Sequence, residues 1–418
     1  MEEESGLALS AFDVTAEEFR ERIAWAESTL TPRWLWPEMD PADWRRALRA
    51  IESAARDVMT LGAAREPLDG DPAAIGLAGF TSGMGPLLGY WIEQGQLAAS
   101  APVAAVLDLH LRHNRLRMAR MAERAAAVAR ALAAEGVSVT VLKGMHTAFA
   151  YFPDPGTRPL SDVDMFVASD ADAEQANAYF ERSGFVLRHH SFREHSWRPA
   201  AVPAEARSLL LAHADDPWSI DLHNSLDQFP ARGAPPVRLD AIAAAVPMTL
   251  WPIDVAARAL GQPLLLLQLA VHASCGFDNL TMIRLVELAL VARRDIATGE
   301  LQWPAFLDIA EQAGGLGVAC PALMLCEALV PGTIPAAVLA SCAKAAPRRV
   351  RKRLARLTPA SAQSLDRRSL AEHFMWSRGW RGLARQVRLD LAPAASLAEV
   401  VAINKRRAAA LWRRGFNR

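Results

Sequence analysis

The sequence predicts an α+β fold: a small mixed β-sheet core with helical regions before and after it. Three observations predict it. From about Thr15 to Gly136, apolar positions recur every three or four residues, as at Phe19, Ile23 and Ala26, which is the helical period. Directly after Gly136 the pattern changes to short β-branched alternation, beginning with VSVTVL. From Leu239 onward the helical signal returns and continues to Arg418. The 418 residues, 51% of them hydrophobic, have ample apolar material for a core and length for two or three domains. The expected division is a helical region over 1–136, an α/β core over 137–236, a helical domain over 237–343 and a basic helical tail over 344–418.

Within the first region, Val103 to Glu135 reads as one long helix closed by Gly136. The core then expects a strand over Val137 to Leu142, a helix over Gly144 to Tyr151, the Pro/Gly-rich loop FPDPGTRP, and a second strand in DVDMFV. Ser169 followed by Asp172 has the spacing of a capping box and opens another helix, which Gly184 follows. Three β-like runs come next, near Phe185 to Phe192, Ser208 to His213 and Trp218 to His223, with the Asp215-Asp216-Pro217 turn before the last. Beyond Leu239 the segments Ala256 to Ser274 and Thr281 to Thr298 read as helices. The chain shows no internal repeat and no low-complexity linker.

Charge and cysteine content narrow the function classes. The 46 basic and 46 acidic residues cancel, yet from Lys344 to Arg418 nineteen Lys and Arg face four Asp and Glu. RRVRKRLARL and WRGLARQVRLDL in that tail read first as a solvated helical face, and second as an attractor for nucleic acid, an anionic membrane surface or an acidic partner. MEEESGLALS has no apolar segment of the kind a secretory signal needs. The apolar run PLLLLQLAVHA is too short to span a bilayer, so a soluble cytoplasmic protein is expected. Cys275, Cys320, Cys326 and Cys342 lack metal-ligand spacing and sit in apolar helical sequence, where buried free thiols are expected.

The chemistry concentrates in SDVDMFV. A strand has a side-chain period of two, so Asp162 and Asp164 share one face while Val163 faces the other way. Two such carboxylates can share one divalent ion, and oxygen ligands of this kind suit Mg²⁺ or Mn²⁺ completed by waters and substrate phosphates. Upstream, in VLKGM, Gly144 can bring backbone amides close to a phosphate and Lys143 supplies a point charge. Downstream, WSIDLHN places Asp221 and His223 on one face of a strand. A third carboxylate beside such a pair is what a two-metal phosphoryl-transfer site requires. His189, His190 and His195 have no carboxylate or thiol at ligand spacing and are expected to face solvent or an acceptor rather than a metal.

Taken together, LKG, then YFPDPGTRPLSDVDMFV, then IDLHNSL resembles the nucleotidyltransferase superfamily that includes DNA polymerase beta. Within it the chain looks most like uncharacterised nucleotidyltransferases often found beside bacterial biosynthetic genes. The resemblance covers roughly Val137 to Leu226, with a weaker echo in LLLLQLAVHASCGFDNLTMIRLVEL, where it implies roles for Arg284 and Glu287. Met145 follows Gly144 where the superfamily usually has Gly or Ser, and the interval from Gly144 to Asp162 is long for the superfamily but matches the LKG type. The resemblance implies that Asp162 and Asp164 bind Mg²⁺ (or Mn²⁺) that chelates a nucleoside triphosphate. Asp221 then completes a second metal site and helps deprotonate a hydroxyl on a small metabolite, peptide or protein. Lys143, Gly144, Arg158 and His223 are the candidates near the phosphates, with Arg158 alternatively holding the acidic pair by a salt bridge. Two other readings keep the fold: an RNA- or protein-modifying transferase of the toxin-antitoxin kind that uses the basic tail, and an inactive binding module.

Overall fold

The computed structural model describes residues 14–29, 39–191, 193–231, 234–253, 257–364, 370–377, 381–384, 386 and 388. The MEEESGLALS start and half of WRGLARQVRLDL lie outside the described residues. The N-terminal region is helical: α1 (Ala16–Thr29), α2 (Pro41–Leu61), α3 (Pro72–Ser82), α4 (Gly85–Glu93) and α5 (Ala101–Ala134). Local sequence sets these boundaries. Asp40 and Asp71 each stand just before a Pro and accept a hydrogen bond from the backbone N–H two residues on, so α2 and α3 begin with a satisfied cap. Trp44, Leu48 and Ile51 recur on one face of α2 and are all buried. Gly89 allows α4 to lie directly on α5, since a Cβ there would collide with the Leu107 carbonyl oxygen.

Gly136 ends this layer and the chain enters β1 (Val139–Val141), followed by α6 (Lys143–Ala150), β2 (Asp162–Phe166), α7 (Asp170–Arg182), β3 (Phe185–His190), β4 (Glu194–Pro199) and β5 (Ser219–His223). The Ser169 cap forms as expected, its hydroxyl accepting from the Asp172 N–H at 3.0 Å. After the short α8 (Asp240–Ala243) come β6 (Met248–Leu250) and β7 (Ala257–Leu260). The described residues thus form one seven-stranded mixed sheet in the order β3-β4-β5-β2-β1-β7-β6. β2 runs parallel to β5 and β1 parallel to β7, while the remaining neighbours are antiparallel.

The sheet's two faces differ, as period-two alternation requires. Val139, Val141, Val163, Met165, Trp197, Ile220 and Leu222 point to a core shared with Phe180 of α7 and Met121, Ala125 and Val128 of α5. The opposite face carries Asp162, Asp164 and Asp221. The remaining elements are helices α9 (Leu264–Ser274), α10 (Met282–Ala297), α11 (Trp303–Gln312), α12 (Leu316–Leu329), α13 (Ala336–Ala345), α14 (Arg348–Leu354) and α15 (Leu370–Met375). They share a second and larger core with α2 to α4. An α+β protein with a mixed sheet between helical regions is therefore what the chain forms.

Two local expectations are corrected. Ser208 to His213 is not a strand, because β2 and β4 already occupy the two edges of β5. It is instead an irregular segment fixed by Asp216, whose carboxylate accepts from the N–H groups of Arg207 and His213 at 2.7 and 2.9 Å. The missing strand is EHSWRP, which forms β4. The run from Ala256 to Ser274 is not one helix: Gly261 and Pro263 divide it into β7 and α9, and β7 finds hydrogen-bonding partners on both sides in β1 and β6. None of the four cysteines forms a disulfide among the described residues, and Cys320, Cys326 and Cys342 are buried. No helix among the described residues is long and apolar enough to cross a membrane.

Candidate active site

The β2–β5 pairing places the carboxylates. Asp164 stands directly opposite Asp221 in the parallel register, with Asp162 opposite Ser219 and Phe166 opposite His223, so the acidic side chains share one face. Asp162 and Asp164 line a cleft of about 450 Å³. Its other walls come from the N-terminal helices (Phe80, Thr81 and Arg117), from α6 (Lys143, Gly144) and from α9 and α10 (His272, Arg284, Glu287).

Asp164 is buried and bonded to two cationic or imidazole partners. Its Oδ1 accepts from Lys143 Nζ at 2.9 Å and lies 2.8 Å from His223 Nε2. Burial alone would raise the Asp164 carboxyl, but the Lys143 charge and the His223 hydrogen bond overcome this and hold it below the usual carboxylate range. Asp162 goes the other way: burial and the nearby Asp164 charge, with a further contribution from Asp221, push its carboxyl up despite Lys143 and Arg284. Burial would lower the Lys143 ammonium, yet Asp164 and Asp162 keep it raised and charged. His272, whose Nε2 is 3.4 Å from Lys143 Nζ, is held well below its ordinary value by that cation and by burial, so it stays neutral and accepts from Lys143.

The α6 entrance explains the LKG sequence. Lys143 has φ +23, a backbone conformation seldom adopted outside glycine, at the point where the strand turns into the helix. Leu142 at the N-cap offers no side-chain acceptor to the first-turn N–H groups of α6, and Lys143 and Gly144 of that turn line the cleft. Gly144 lets α6 pack closely on Leu160, whose Cδ2 would have to shift to admit a Cβ there.

Arg158 does not touch the aspartates. Its Nη2 bonds Glu287 Oε2 at 2.9 Å and its Nη1 donates to the Pro159 carbonyl at 2.7 Å, so of the two roles expected for it, the salt bridge goes to Glu287. The Thr147 hydroxyl donates to the other Glu287 oxygen. This pair fastens the loop before β2 to α10 and α6. Asp221, beside Asp164 on the next strand, makes contacts of its own. Its Oδ1 accepts from the Ser196 hydroxyl at 2.6 Å and the Ser219 hydroxyl at 2.9 Å, and it does not line the cleft. Among the described residues, no group of three His, Cys, Asp or Glu side chains is positioned as it stands to hold a metal ion.

A family model described as "Uncharacterised nucleotidyltransferase" matches residues 79–331. That span is more than half of the chain. The chain belongs to this nucleotidyltransferase family. The match begins in α3 and ends just after α12, so it takes in the N-terminal wall of the cleft as well as the sheet and α10. No curated protein and no solved structure matches the chain.

The cleft of this family member includes groups that the sequence pattern did not single out. His272 appears in the sequence only as a break in an apolar run. Arg117 is one arginine among many on α5, yet it is buried and donates to the carbonyls of Leu160 and Pro217 at 3.1 and 2.8 Å and to that of Asp216 at 2.5 Å. A polar residue at an otherwise apolar position was the available signal for His272; Arg117 had none.

Proposed function

We propose that the chain transfers a nucleoside monophosphate from a nucleoside triphosphate to a hydroxyl acceptor, with Mg²⁺ or Mn²⁺ held at Asp162 and Asp164. The observation that carries this reading is the carboxylate pair on β2, facing Lys143 and the uncapped start of α6 across one cleft. The residues fit a divalent ion. Burial, joined by the neighbouring Asp164 and Asp221 charges, raises the Asp162 carboxyl, and a hard cation with carboxylate and phosphate ligands would favour its ionised form. Two protein carboxylates completed by substrate oxygens is a common arrangement for Mg²⁺, and it needs no third ligand in advance.

When bound, the ion would neutralise charge on the triphosphate and on the leaving group. The chain's own residues supply the rest. The first-turn amides of α6 donate to phosphate oxygens, and Lys143, freed from Asp164, follows the charge toward the triphosphate. His272 keeps the ammonium oriented, and His223 does the same for the Asp164 carboxylate. Asp221, steadied by Ser196 and Ser219, accepts the acceptor's proton. Retention of all three carboxylates supports an enzyme over an inactive binding module, and a cytoplasmic location belongs to the same reading.

Calorimetric titration of the full chain with each NTP, with and without Mg²⁺, tests it. Binding of at least one NTP that requires the metal and disappears with EDTA is expected. NTP binding indifferent to metal, or none at all, would overturn it.

A further inference from the structure

Toward β4 and β3, the face that carries the carboxylates continues into a second concavity of about 330 Å³. Ser161, Ser196 and Ser219 line it together with Arg188, His189 and Arg198. It shares Ser161 and Pro217 with the cleft, so occupants of the two would be neighbours. Two of its hydroxyls, those of Ser196 and Ser219, are the donors that hold Asp221. Asp221 therefore stands at the boundary, served from this side.

The charge here is one-signed: two guanidinium groups, one imidazole and no carboxylate. Arg188 and His189 are exposed and form no ion pair or side-chain hydrogen bond with the described residues. The β3–β4 register shifts between Leu187 and His189, an irregularity of the kind that re-aims side chains beside a site. Among the described residues, Arg198 bonds to the backbone oxygens of Val202 and Pro199 and to no carboxylate. Guanidinium groups with no internal counter-charge, set around hydroxyls, recognise phosphate or carboxylate. The volume suits a small molecule.

We propose that the hydroxyl acceptor is a small anionic alcohol, its phosphate or carboxylate held by Arg188, His189 and Arg198 so that its hydroxyl meets Asp221. The inference rests on the nucleotidyl-transfer reading. In the step itself, the acceptor oxygen forms a bond to the α-phosphorus while the bond from that phosphorus to the bridging oxygen breaks. Pyrophosphate leaves with the electron pair and the hydroxyl proton passes to the Asp221 carboxylate.

The test is calorimetry on the full chain with Mg²⁺ and a non-hydrolysable NTP analogue. The probes are glycerol 3-phosphate for the phosphate arm, glycerate for the carboxylate arm, glycerol as the neutral control and a short single-stranded RNA. At least one anionic probe is expected to bind with a Kd of about a millimolar or tighter, and glycerol is not. Arg188→Gln and His189→Gln, both at exposed positions with no structural bonds to lose, are each expected to weaken that binding by about tenfold or more. Anionic probes that bind no better than glycerol, or that bind equally to Arg188→Gln, would overturn the proposal. Preferential, Arg188-dependent binding of the RNA would overturn it in favour of a nucleic-acid acceptor. Failure of the NTP analogue itself to bind is a separate result, and it removes the transfer reading along with the acceptor role.

Discussion

The two halves of the sheet's acidic face treat charge in opposite ways. Around β1 and β2 the charged groups are buried and matched inside the protein: Lys143 with Asp164, and Arg158 with Glu287 at 11% and 3% side-chain exposure. On β3, Arg188 and His189 are exposed and make no ion pair with the described residues. Burial is the difference. A charge taken out of water must be compensated on the spot, whereas an exposed one keeps its hydration until a ligand displaces it. One half is therefore organised in advance, and the other is free to take its counter-charge from outside.

The largest effect that would break this comparison is on the buried half. Asp162→Asn combined with Asp164→Asn is expected to lower nucleotidyl transfer by roughly three orders of magnitude, about 4 kcal/mol of barrier, and to abolish Mg²⁺-dependent NTP binding while circular dichroism stays unchanged. Metal-dependent binding that survives in this variant would remove the carboxylates from the site. Next comes Glu287→Gln, which leaves Arg158 buried without its counter-charge and is expected to cost about 3–5 kcal/mol in denaturant unfolding. A loss under about 1 kcal/mol, the range of an exposed pair, would show that Arg158 is not dependent on that partner.

Smaller, and of opposite sign, is Asp162→Asn alone. The folded-state carboxyl of Asp162 is raised above its unfolded value, so its ionisation disfavours the fold, and stability present at low pH is lost as pH rises through the folded pKa. The variant should therefore be more stable than the parent at about pH 7, by roughly 2–4 °C in Tm. The advantage should vanish as pH falls below the ordinary carboxylate range. A variant that melts lower than the parent at neutral pH would contradict the raised Asp162 carboxyl. Mg²⁺ should narrow the same gap by stabilising the parent. The smallest effect belongs to the exposed half: Arg188→Gln should change unfolding free energy by no more than about 0.5 kcal/mol, as for an unpartnered surface residue.

Much of this organisation is legible in the sequence. The alternation in SDVDMFV puts Asp162 and Asp164 on one face, and the fold keeps them there because a period of two is a property of the strand itself. The Ser169 cap and the Gly136 break are likewise local, with partners only a few residues away. Two runs mislead for the opposite reason. Ser208 to His213 has apolar content suited to a strand, but both sides of the β5 strand that follows are taken by β2 and β4, and Ala257 to Ala259 pair with β1 from more than a hundred residues earlier.

By itself, then, the sequence determined the fold class, the carboxylate pair and the position of the LKG turn, because each depends on periodicity or on neighbours within a few residues. Only the tertiary structure decided that Arg158 pairs with Glu287 and that His272 backs Lys143. It also decided that Asp221 is held by Ser196 and Ser219 at the edge of a basic concavity. Those partners are brought together by strand order and helix packing, which join segments from distant parts of the chain, and no local pattern carries that information.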